Sequence, residues 1–110
     1  MGLTKTENFT AKQNELATLA KALGHPARIA IIQHLLKMNT CICGDLVDVI
    51  ALAQPTISKH LKELKAVGII KGTIEGTSVN YCIDAEQWRK VQQLFNGLFD
   101  TFVADQDCGC

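Results

Sequence analysis

Two groups of side chains in this 110-residue chain have the types and spacing to do chemistry: five cysteines, and a crowd of polar and basic residues after Ala53. Four of the cysteines form two C-x-C pairs, Cys41/Cys43 and Cys108/Cys110, while Cys82 stands alone. Thiolates bind soft metal ions and metalloids, and they oxidise readily. On a continuous helix, residues two apart diverge by about 200° and cannot chelate together. In a turn just ahead of a helix they can converge, and the helix dipole there favours thiolate over thiol. Cys41 and Cys43 are expected in that place, ahead of a short helix opened by Gly44-Asp45. An isolated cysteine such as Cys82 is commonly inert filler.

The second group is Gln54, Thr56, Ser58 and Lys59, with Lys62, Lys65 and Lys71 following. Glutamine pairs bidentately with adenine, lysine reaches guanine O6/N7, and hydroxyls serve base or phosphate. From Gln54 to Gly72 four lysines face one glutamate, a local +3, and the rest of the chain carries −3. A concentrated basic stretch within a neutral chain suits a phosphate-contacting surface. The plainer reading is that these lysines are merely solvated and that Thr56 and Ser58 only cap a helix.

These residues need elements to hold them. Phe9, Leu16, Leu19 and Leu23 have helical spacing over 8–23. Gly24 suits the left-handed position after that helix, and Pro26 the first turn of a second one, ending near Met38-Asn39. A short helix follows from Asp45 with Leu46, Val49 and Ile50 inward. The next begins at Pro55, with Ile57, Leu61 and Leu64 as its apolar stripe, and stops at Gly68. Residues 69–74 and 79–83 are β-branched runs around a glycine-containing turn. A final helix spans 84–103, carrying Trp88, Val91, Phe95, Leu98 and Phe102 in steps of three and four. The expected fold is mainly α with a small β-hairpin, in ααααββα order, a winged helix-turn-helix. Residues 1–104 form one domain and 105–110 a flexible, cysteine-containing tail.

The segments ALGHPARIAIIQHLL, GDLVDVIALAQPTISKHLKELKAVGII and GTIEGTSVNYCI resemble the ArsR/SmtB family of dimeric winged-helix repressors over about residues 15 to 84. That resemblance implies operator binding by a homodimer and release by an effector. It puts base reading on Gln54, Ser58 and Lys59 with Thr56 adjacent, helix packing on His60 and phosphate contact at Lys71 on the wing; the lysine cluster itself adds Lys62 as a DNA-binding residue. The family's thiol-type sensors carry a C-x-C at the place of Cys41/Cys43, with a third cysteine where this chain has Val47. A third sulfur would have to come from elsewhere, and Cys108 and Cys110 could supply it, so all four cysteines are candidate ligands for As(III), Sb(III) or a soft metal ion acting as inducer. The carboxylate–histidine zinc site of other members has no counterpart, since the last helix lacks histidine.

The aromatic stripe of the last helix exceeds what one small core needs. With the first helix it supplies the expected dimer interface: Leu16, Leu19, Trp88, Val91, Phe95, Leu98, Phe99 and Phe102. Two other functions compete. The cysteines could be a disulfide switch on the same DNA-binding regulator. Alternatively the protein could carry metal or exchange disulfides with no DNA role, which the lysine cluster argues against. An enzyme is not expected: there is no Walker loop, HExxH or GxSxG. No apolar run approaches the ~20 residues that span a bilayer, and MGLTKTENF has no signal-peptide character, so the expected partners exclude membrane and the expected location is the cytoplasm.

Overall fold

The local sequence marks most element ends, and the computed structural model shows how each is made. It describes residues 8–39, 41–43, 50–75 and 78–103. Helix α1 (Ala11–Leu23) opens on a reciprocal cap. The Thr10 hydroxyl accepts from Gln13 N at 3.0 Å, and Gln13 Oε1 accepts from Thr10 N at 2.9 Å. The cap starts the helix three residues later than the apolar spacing suggests. Gly24 is not left-handed, with φ −79°. Extended His25, restricted by the proline after it, makes the corner instead. Helix α2 (Pro26–Met38) begins as His25 Nδ1 accepts from Ala27 N at 3.0 Å. It ends at Asn39, left-handed with φ 53°.

A strand absent from the sequence expectation comes next. β1 (Ile42–Cys43) pairs antiparallel with β3 (Ser78–Ile83), which pairs in turn with β2 (Ile70–Glu75), giving a three-stranded sheet in the order β1-β3-β2. The hairpin β2–β3 is the wing. Gly72 within it has φ 128°, and a Cβ there would collide with the Asn80 carbonyl oxygen and the Tyr81 backbone. The short helix expected from Asp45 falls largely on 44–49, outside the described residues. Ile50 and Leu52, just after it, are half-buried against the core.

Helix α3 (Gln54–Ala66) has Pro55 in its first turn and directs Ile57, His60, Leu61 and Leu64 inward. Left-handed Gly68, φ 81°, turns the chain into the wing. Helix α4 (Ala85–Phe99) is capped by Asp84, whose Oδ1 accepts from Gln87 N at 3.1 Å. It stops four residues short of the expected 103. The Thr101 hydroxyl donates to Leu98 O at 2.7 Å, taking a carbonyl that a further turn would use. The core joins α1, α2, α3, α4 and the sheet through Leu19, Ile31, Leu35, Leu61, Leu64, Tyr81 and Val91. Burial of each such side chain contributes about 1.5–3 kcal/mol.

Candidate nucleic-acid interface and thiol site

Burying one stripe of α3 leaves the opposite side to water. Thr56, Lys59 and Lys62 are exposed there, and Lys71 is exposed on β2, the strand packed beside α3. The four lie on one helix and its adjoining wing strand, as the lysine cluster suggests. Gln54 and Ser58 are only half-exposed. One turn apart, they bond to each other: Gln54 Nε2 donates to Ser58 Oγ at 3.3 Å. Gln54 Oε1 is buried without a hydrogen-bond partner among the described residues. To read a base edge, the Gln54 amide has to exchange the Ser58 bond and swing outward.

The orientation of α3 is held by a polar knot the sequence only half reveals. Buried His60 accepts from Arg28 Nε at 3.1 Å through Nδ1. Arg28 Nη1 also donates to Ala22 O at 3.1 Å, and the His25 ring lies 4.3 Å from that of His60. One guanidinium thus ties the end of α1 and the start of α2 to the middle of α3. Burial first, then the nearby His25 and Arg28 charges, pushes His60 below the usual histidine pKa of 6.5. The helix-packing expectation for His60 thereby acquires its partners, Arg28 and His25, which spacing alone did not single out.

The thiols are arranged differently from the expectation. Ile42 and Cys43 are extended and paired with Tyr81 and Asn80, rather than in a turn, because the strand ladder satisfies their backbone groups. Exposed Cys41 lies beside Cys82, the cysteine read as filler, on the wall of one cavity. The neighbouring Cys41 thiol, then burial, pushes the Cys82 thiol up, while Lys71 opposes the shift. The cavity, of about 450 Å³, opens beside them, with Leu35, Trp88, Lys71 and Arg89 in its wall. Among the described residues no three histidine, cysteine or acidic side chains are gathered for a metal ion. Cys108 and Cys110 lie outside the described residues. The described donor set therefore offers a soft ion two sulfurs.

Of the side chains expected at a dimer interface, Leu19 and Val91 are in the chain's own core. Leu16, Trp88 and Phe95 are half-buried, and Leu98, Phe99 and Phe102 are exposed. Phe102 lies past the end of α4.

A capped helix pair, an outward-facing α3 and a hairpin behind it define a winged helix-turn-helix protein. Residues 25–71 match the model of the arsR family of bacterial regulatory proteins. A cadmium resistance transcriptional regulatory protein CadC homolog of Staphylococcus aureus is 38% identical over 100 residues, covering 88% of this chain and 79% of that protein. The chain belongs to the arsR family. The HTH-type transcriptional repressor SmtB of Mycobacterium tuberculosis is 43% identical over 63 residues, 57% of this chain, and the match spans 46% of that protein's length. Among solved structures, the cadmium metal-sensor CmtR of Mycobacterium tuberculosis aligns with TM-score 0.52 and 31% identity, covering 86% of this chain and 95% of that one. An ArsR-like transcriptional regulator from Rhodococcus sp. RHA1 aligns with TM-score 0.64 at 20% identity, over 84% of this chain and 86% of that one, a likeness of fold. These relatives are named as transcriptional regulators.

Proposed function

We propose that this protein is a homodimeric transcriptional repressor that binds a double-stranded DNA operator and leaves it when its cysteines take up a thiophilic ion. The observation that carries the DNA reading is the exposed set Lys59, Lys62 and Lys71 on α3 and the adjoining wing strand of an arsR-family fold. Thr56 stands at the same helix start, and Gln54 and Ser58 join it once their mutual bond opens. Exposed apolar side chains at the end of α4 support pairing of two copies, and a two-fold dimer matches a palindromic operator. Residues 1–104 act as one domain with 105–110 as its tail, and the work is cytoplasmic, where an operator is found. No helix among the described residues is long and apolar enough to cross a membrane.

The inducer is a soft metal ion or a trivalent metalloid such as As(III) or Sb(III). Its ligands come from Cys41 and Cys43, with Cys108 and Cys110 supplying further sulfur. Support comes from the thiol content and from relatives named for cadmium. The deciding experiment is a gel-shift on the DNA upstream of the protein's own gene, in reduced and metal-free buffer. Binding that Cd(II) or As(III) releases, and that persists in Cys41→Ser/Cys43→Ser, is the expected result. Absence of any DNA binding sinks the repressor reading. The placement of Cys41 beside Cys82 on one cavity wall favours one second reading, in which the same regulator responds to oxidation.

A further inference from the structure

Strand register places two cysteines on one rung. With Ile42 opposite Tyr81 and Cys43 opposite Asn80, the next antiparallel step sets Cys41 opposite Cys82. Directly opposed residues on antiparallel strands have Cα atoms about 4.5–5.5 Å apart. A disulfide accepts roughly 4.4–6.8 Å between its Cα atoms. On the other side of Cys82 the wing register puts Lys71. Cys41 is exposed and Cys82 half-buried, and the cavity beside them admits a small molecule to both. Two sulfurs suffice for a disulfide, whereas a closed metal site asks for more donors than the described residues gather here.

We propose that Cys41 and Cys82 are an oxidisable pair that closes to a disulfide when the protein meets a hydroperoxide. The exposed Cys41 thiolate attacks the peroxide; its S–O bond forms as the O–O bond breaks, and the leaving oxygen takes a proton as water or alcohol. Cys82 sulfur then attacks the Cys41 sulfenic acid. The S–S bond forms, the S–O bond breaks, and the hydroxyl leaves with the Cys82 proton as water. Two thiols have lost two electrons and two protons, and the hydroperoxide has been reduced. The new bond ties the strand that follows α2 to the wing. Only its consequence at the operator rests on the repressor reading; the bond itself does not.

The test treats the reduced, metal-free full chain with equimolar hydrogen peroxide, then blocks free thiols and maps the peptides. The expected result is a Cys41–Cys82 disulfide as the main product, a loss of two hydrogens per chain, and full reversal by dithiothreitol. Cys82→Ser should instead accumulate a Cys41 sulfenic acid that dimedone traps, and Cys41→Ser should leave Cys82 a free thiol at the same dose. A main product joining Cys41 to Cys43 or to the tail, or equal oxidation of Cys82 in Cys41→Ser, overturns the proposal. Operator titration of the same samples reads the other question. A disulfide that forms without changing affinity keeps the pair and removes its regulatory role. A reduced protein that never binds DNA counts against the repressor reading alone.

Discussion

A proton on His60 would turn the nitrogen that accepts from Arg28 into a donor facing a donor. The folded chain therefore binds that proton more weakly than the unfolded chain, whose histidine titrates near 6.5. Stability from this group is fully present above that value and is lost as pH falls through it toward the lower folded pKa. Urea unfolding at about pH 8 and about pH 5.5 should show the lower midpoint at acid pH. His60→Gln, which keeps an acceptor for Arg28, should flatten that dependence; an equally steep profile in the variant would assign it elsewhere. The lysines act at the same scale but through water and salt. Lys62→Ala and Lys71→Ala should each weaken all duplexes alike and reduce the salt slope of log K by about 0.9 per lost phosphate contact. Lys59→Ala, at the helix start, should weaken the operator more than random DNA. Gel-shifts over a salt series read all three, and three unchanged affinities would remove this face as the interface.

At the scale of elements, the wing depends on a position that only glycine fills. Gly72→Ala puts a Cβ into the Asn80 carbonyl at a backbone angle L residues rarely adopt. It should cost about 2 kcal/mol or more in chemical unfolding, and an unaltered midpoint would mean that the hairpin relaxes freely. Elements with strong local signals were legible beforehand: the Ile57–Leu61–Leu64 stripe, the β-branched runs and the glycine at 68 all lead to the observed α3 and hairpin. What escaped reading is what tertiary pairing creates. Two residues of β1 carry no alternation, so only their ladder to Tyr81 and Asn80 reveals a strand. The pairing of Cys41 with Cys82 follows from that ladder and was invisible for the same reason. Gly24 misled because extended His25 does the turning. The lysine surface was readable because its parts are close in sequence; the hold of Gln54 on Ser58 was not, because it depends on rotamers.

At the scale of the whole molecule, zero net charge gives no general attraction to nucleic acid, so any such attraction has to come from the local +3 stretch. The shape leaves an apolar end uncovered. Val91 anchors α4 in the core, and Phe95 is half-buried, but Leu98, Phe99 and Phe102 are 53%, 65% and 78% exposed. Large apolar side chains grouped at one end of a helix are costly in water and mark a contact surface. A second copy meeting the same end by two-fold symmetry would cover both sets and bring two α3 helices to one operator. Sedimentation should therefore find the full chain dimeric at micromolar concentration. Leu98→Glu/Phe99→Glu should shift it to a monomer that keeps its helical circular dichroism, because neither side chain is in the core of its own chain, and its unfolding midpoint should lose the dependence on protein concentration that a dimer shows. The same variant should lose at least ten-fold in operator affinity, since two linked half-sites bind far more tightly than one. A wild type that sediments as a monomer, or a glutamate variant that stays dimeric, would move the self-contact away from the end of α4.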